Sequence, residues 1–278
     1  MKRCFVLLCV LVVSVLLVQA PAQAQTKIGF KVTGGLGFVS GGDLNTGLQG
    51  WSDAWKAIFG GIGYTVSGGY SPVHLGMDIG GEFLLQFDPS LALGLGVGYI
   101  QASKSSTMNM SYGSSSAQDT WAPKANAIPI TATFYYTLPS TGSVKIFIDA
   151  GVGYYLGKYT DAWHVVFFGT SDETLDMTAN GIGFHGGLGV EIPFSPAISF
   201  LFEARGRYAS LGNFKGTDAT SSTTTTGNAW IENVNALGFG TFPLLYLESS
   251  TPSSSVSPRQ AKLDFSGFSA VVGFLFHF

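Results

Sequence analysis

From Gly267 to Phe278 every second residue is apolar and most are aromatic: Phe268, Ala270, Val272, Phe274, Phe276 and Phe278. Successive residues of a strand point to opposite faces, so this set shares one face and Ser269, Gly273 and His277 fall on the other. The same period-two pattern recurs seven times upstream. Its stripes run through Ile28–Phe38, Leu75–Phe87, Leu91–Tyr99, Ile128–Leu138, Val144–Leu156, Ile182–Ile192 and Ile198–Tyr208. Tight turns at Asp88-Pro89-Ser90, Pro139–Ser143 and Ser195-Pro196-Ala197 alternate with long connections over about 41–73, 102–126, 160–179 and 211–262. Short turns at one rim and long loops at the other predict an all-β fold, an antiparallel up-and-down β-barrel of eight strands.

The position of charge decides between a soluble and a membrane barrel. None of the eight apolar stripes contains Asp, Glu, Lys or Arg. The opposite face carries Lys31, Asp78, Glu82, Lys145, Asp149, Glu191, Glu203, Arg205 and Arg207. A soluble barrel would place charge outside and apolar residues within. The reverse pattern predicts a transmembrane barrel, because Lys or Arg facing mid-bilayer costs ~2–4 kcal/mol. Tyr99, Tyr154 and Tyr208 stand near the loop ends of their strands, where an interfacial aromatic belt belongs.

Two connections carry a different signal. Leu44, Leu48, Trp51, Trp55 and Ile58 recur at three- and four-residue steps and predict a short helix, with Asp43 as its cap and Gly47 and Gly50 weakening it. It is read as a loop helix over the barrel mouth, or as a lid or interfacial anchor using Trp51 and Trp55. The last connection joins a Thr run at 221–226 to an apolar segment from Trp230 to Tyr246. That segment is expected to pack on the rim or to form a further hairpin, which would make ten strands.

Composition narrows the class. Charged residues are 11% and hydrophobic residues 46%; ordinary soluble domains carry about 25% charge. Met1-Lys2-Arg3, an apolar run to Val18 and a small-residue site ending at Ala24 predict a signal peptide over 1–24, leaving 25–278 as the barrel domain. Both cysteines, Cys4 and Cys9, fall within the signal, so the mature chain has neither disulfide nor thiolate chemistry. The formal net charge is −3 and becomes more negative once Lys2 and Arg3 are removed, which excludes a basic nucleic-acid surface.

Signal, eight strands and terminal Phe278 resemble the small OmpA/OmpW/opacity-like outer-membrane β-barrels of Gram-negative bacteria. Ala127-Ile128-Pro129-Ile130-Thr131 and the stretch from Gly187 to Arg205 read like that family's later strands. The resemblance implies a bacterial outer-membrane location, outer-membrane lipid and lipopolysaccharide as surroundings, and termini and short turns facing the periplasm. It also implies that the last strand, with Phe274, Phe276 and Phe278, is read by the barrel-assembly machinery. No cell-wall-binding domain is expected after Phe278.

Candidate chemistry lies in the lumen. Buried charges persist when paired, so Arg205 and Arg207 are expected to centre a network accepting Glu82, Asp149 and Glu203, with Asp78 higher and His185 alongside. The alternatives are a structural plug and an ion-selective constriction. Inward glycines at 94, 96, 98, 151, 153, 187 and 189 would give room to Tyr135, Tyr155 and the arginines, or would leave a cavity. His74, His164, His185 and His277 show no metal-ligand spacing and no His-x-Ser pair of the kind found in outer-membrane lipid deacylases. We therefore expect no cofactor, no metal and no catalysis. The sequence reading is a non-enzymatic outer-membrane protein with a structural or surface-recognition role and a possible extracellular ligand at its loops. A narrow porin-like channel is the alternative, and a lipid-modifying enzyme a minor one.

Overall fold

The computed structural model describes residues 27–139, 142–167, 169–252 and 256–278. The predicted signal peptide and both cysteines lie outside the described residues. In chain order the elements are β1 (Lys27–Val39), α1 (Asp43–Gly61), β2 (Thr65–Gly68), β3 (Leu75–Asp88), β4 (Leu91–Ser103), β5 (Ser106–Tyr112), β6 (Ser115–Trp121), β7 (Lys124–Thr137) and β8 (Lys145–Val166). They continue with β9 (Thr170–Pro193), β10 (Ile198–Tyr208), β11 (Ser210–Leu211), β12 (Lys215–Thr220), β13 (Thr224–Asn235), β14 (Thr241–Glu248), β15 (Val256–Gln260), β16 (Leu263–Asp264) and β17 (Gly267–His277).

Eight of these strands close into an antiparallel ring in the order β1, β3, β4, β7, β8, β9, β10, β17 and back to β1. β17 shuts it, pairing with β1 from Val39↔Gly267 to Gly29↔His277 and with β10 on its other side. Register here follows the apolar alternation, since a slip of one residue would turn every side chain to the wrong face. The apolar stripes lie outside: Phe83, Leu95, Ile130, Ile148, Phe184, Phe268 and Phe274 are all exposed, while Lys31, Asp78, Glu82, Asp149 and Glu203 are buried within. On β8 an exposed apolar stripe runs from Ile146 to Leu156, with Val166 exposed again at the far tip; the stripe matches the ~9–11 residues that cross a bilayer.

The long connections are not loops. β8 and β9 have 22 and 24 residues and stay paired from Lys145↔Glu191 to Val166↔Thr170. The predicted connection over 160–179 is therefore the upper half of one hairpin. Over 102–126 the chain forms the β5–β6 hairpin, which pairs with β8 through β6. The segment 211–262 supplies β12, joined to β9, and the β13–β14 hairpin beyond it. That hairpin extends the sheet above the ring and does not enter it, so the ring has eight strands and the ten-strand alternative is not realised. Together these strands build a folded cap on the barrel.

The helix is inside this cap and longer than predicted, with 19 residues. Its cap residue is Gly42, and Asp43 stands at its first position with no side-chain capping bond. The Asp43 carboxylate instead accepts from Arg259 Nη2 at 2.7 Å and from the Lys262 amide at 2.8 Å, tying the helix start to the far end of the chain. Gly47 and Gly50 serve packing: a Cβ at Gly50 would stand 1.8 Å from the Pro243 carbonyl oxygen, and one at Gly47 2.5 Å from Leu245 Cβ. The helix thus lies directly against β14.

Candidate functional site: the barrel lumen and its cap

The lumen is filled in three layers. The lowest is apolar, formed by Tyr135, Phe147, Leu201 and Leu275. The highest belongs to the cap core, where Trp121, Tyr155, Tyr159, Leu211 and Phe265 are fully buried. Between them lies the charge layer. Lys31 on β1 is its hub: its Nζ is 3.1 Å from Glu82 Oε2 and 3.0 Å from Glu203 Oε2, and it donates to the Tyr135 hydroxyl at 2.5 Å. Tyr135 in turn donates to Glu82 at 2.5 Å. Arg205 Nε donates to Glu203 at 2.7 Å. Arg207 forms a second pair, 2.9 Å from Asp78, and donates through Nε to the Phe265 carbonyl oxygen at 2.9 Å.

This arrangement corrects the sequence reading in two respects. The network centres on Lys31 and Tyr135, not on the arginines. Asp149 accepts from neither arginine; among the described residues neither of its oxygens has a hydrogen-bond partner. His185 contacts the Thr133 hydroxyl at 3.1 Å through Nε2. The glycines do give room, to Tyr155 as expected, which a Cβ at Gly153 would meet at 3.0 Å, and to other residues besides. A Cβ at Gly94 would fall 2.1 Å from Glu82 Oε1, and one at Gly189 2.1 Å from the Phe147 ring. Two small voids remain, ≈60 Å³ below Lys31 and ≈40 Å³ above it among Asp78, His185, Arg205 and Arg207. Each holds a few waters at most.

A further polar group, whose pairing the sequence did not show, lines the lower rim, where the mouth opens into a recess of ≈1010 Å³. Ser199 Oγ donates to Glu191 at 2.8 Å and lies 3.0 Å from His277 Nε2, while Lys145 reaches Glu191 at 2.7 Å. Glu191 is 3.5 Å from that same Nε2. A Ser-His-acid triad needs the carboxylate on the other ring nitrogen, so the geometry is that of a latch joining β17 to β9 and β10. Alternation along β9 and β10 puts Glu191 and Ser199 inside, and that signal could have found the pair.

The cap has its own buried polar cluster. Asp119 accepts from Trp163 Nε1, and Asp161 accepts from the Ala122 amide at 3.1 Å. Burial pushes the Asp119 carboxyl up to about 7 against the lowering effect of the Trp163 bond. Burial likewise raises Asp161 to about 6. Glu173 is raised to about 7, first by burial and then by the neighbouring Asp218, itself raised by burial. Trp51 and Trp55 belong to this cap and are not a membrane anchor. Trp51 donates to the Leu245 carbonyl oxygen at 3.1 Å and its ring lies 5.4 Å from Trp163 and 5.2 Å from Tyr246. Among the described residues no three His, Cys, Asp or Glu side chains are grouped to hold a metal.

No curated protein sequence matches the chain. Among solved structures it is similar to Neisserial surface protein A (NspA), at 10% identity and a TM-score of 0.36, over 91% of this chain and 97% of that one. It is also similar to the outer membrane protein OprG from Pseudomonas aeruginosa, at 11% identity and a TM-score of 0.39, over 93% and 99%. The family described as outer membrane protein beta-barrel domain matches residues 9–231. With its charge-free outer wall and polar, filled interior, the chain belongs to the outer membrane protein beta-barrel domain family and resides in the bacterial outer membrane.

Proposed function

We propose that this protein is a non-conducting, non-enzymatic barrel whose work is to hold a rigid folded cap at the cell surface. The observation that carries this reading is the lumen filling: the Lys31–Glu82–Glu203–Tyr135 layer lies between two apolar layers, and the voids beside it are ≈60 and ≈40 Å³. A channel of the porin kind needs a far wider, water-filled interior than eight strands enclose. The length of β8 and β9 supports the second half of the proposal. About half of each strand extends past the membrane as paired sheet rather than trailing as loop, and Trp163 of β8 packs there against Trp51 of α1. A preorganised surface loses little entropy on binding, which suits recognition of another molecule or cell.

The test is topological. Gly113, at the tip of the β5–β6 hairpin, has open space around it and φ +58. An epitope inserted there should be stained on intact cells. Staining seen only after permeabilisation would place the cap in the periplasm and end the proposal.

A further inference from the structure

Where the barrel wall meets the cap, the wall is dented. β10 pairs with β9 as far as Tyr208↔Phe184. The chain then turns inward: Ala209 and Leu211 are fully buried, and a Cβ at Gly183 or Gly181 would meet them at 2.7 and 2.9 Å. It returns to the wall only at Lys215, which pairs with Thr178, after Asn213 takes the left-handed conformation at φ 59. Asn tolerates that conformation better than most residues. The edge of β9 over 179–183 is therefore left without a ladder partner on that side, and a groove of ≈580 Å³ opens there.

Its chemistry is divided by height. The lower wall is apolar, with Ile128 and Leu156 exposed at the top of the lipid-facing band. One rung higher, Asn126, Lys158, Thr178 and Lys215 stand side by side on four consecutive strands. Asn180 and Asn213 complete the lining. Lys158 is held 2.7 Å from Asp176 on the same outer face, both side chains largely exposed, whereas Lys215 has no ion pair among the described residues. Two ammonium groups and several amides thus sit directly above an apolar wall, at the depth where the outer-leaflet headgroups begin.

The geometry points to a specific site for a phosphate-bearing lipid of the outer leaflet, with its phosphate between Lys158 and Lys215 and an acyl chain against Ile128 and Leu156. Charge complementarity and continuity with the lipid-facing band select this occupant over a soluble anion. Bound there, the lipid fills the dent and braces the seam at which β12 replaces β10.

Native mass spectrometry on the full mature chain in detergent tests the site, with diphosphoryl lipid A and its dephosphorylated form as probes. The phosphorylated form should bind more tightly. Lys158→Gln/Lys215→Gln should weaken it by about 30-fold, from about 1 kcal/mol per lysine near a membrane surface. Lys27→Gln/Lys145→Gln, which removes equal charge at the opposite rim, should leave it unchanged. Asp176→Asn releases Lys158 and should tighten binding, a gain that misfolding cannot imitate. Equal binding of both lipids, no change in the double variant, or equally tight capture of inorganic phosphate alone would overturn the assignment.

Discussion

The ammonium of Lys31 on β1 and the carboxylate of Glu203 on β10 meet at 3.0 Å inside the barrel, with side-chain exposures of 4% and 0%. β17 separates their strands in the ring, so the pair spans the strand that closes the structure. Removing one partner of a buried ion pair leaves an uncompensated charge, at ~3–5 kcal/mol. Lys31→Ala leaves Glu82 without a cation, holding only the Tyr135 hydroxyl, and leaves Glu203 with Arg205 alone. It should lower the urea midpoint of the refolded barrel sharply, and Lys31→Met/Glu203→Gln should recover part of the loss. A midpoint within error of wild type would show that the layer does not hold the barrel.

We infer for the closing strand an assembly role that experiment can separate from stability. The Phe278 side chain is exposed, while its amide donates to the Ile28 carbonyl oxygen at 2.9 Å. Phe278→Ala keeps that bond. We expect it to reduce heat-modifiable protein in the outer membrane severalfold while leaving the unfolding midpoint of protein refolded in detergent nearly unchanged. Equal losses in both measurements would assign Phe278 to folding stability rather than to assembly.

Two glycines of α1 should respond oppositely. Gly50→Ala places a Cβ against the Pro243 carbonyl oxygen and must push the helix off β14. Gly60→Ala meets nothing within 4 Å and should gain up to about 1 kcal/mol from helix propensity. Trp51 reports the difference, since it bonds to Leu245 on β14. Gly50→Ala should alter tryptophan emission and hasten proteolysis of the cap, and Gly60→Ala should do neither.

The cap should be firmer in acid. Asp119 and Glu173 are held up at about 7 and Asp161 at about 6, chiefly by burial. Unfolded carboxyls titrate near ~4. Groups raised on folding contribute stability fully present below that value and lost as pH rises through 6 to 7. Hydrogen exchange over 106–121, 160–178 and 215–220, corrected for intrinsic rates, should show greater protection at pH 5 than at pH 8. Asp119→Asn should flatten the dependence.

The barrel was legible in the sequence because lipid enforces the pattern. Phe268, Val272 and Phe274 must face outward, and Glu203 and Arg205 inward, whatever the loops do. The cap was less legible because water meets its outer face. Ser115–Trp121 and the Thr-rich start of Thr224–Asn235 are polar and read as loop, whereas the apolar part from Trp230 onward carried the signal of the hairpin that β13 and β14 form. A faint period-two signal was present: Ser106, Met108 and Met110 are buried on β5, as are Ala117, Asp119 and Trp121 on β6. Lys31 was visible as an inward residue, but its partners were not. They lie across the lumen, and barrel stagger, not sequence spacing, brings them together.

Electrical recording tests the closed lumen most directly. The chain from residue 25 to 278, refolded and inserted in a planar bilayer, should give no steady conductance above the bare membrane. Arg205→Ala should also remain silent, because Lys31, Tyr135, Phe147 and Leu275 still fill the bore. A stable ohmic channel in the wild type, with ion selectivity that shifts in Arg205→Ala, would contradict the account.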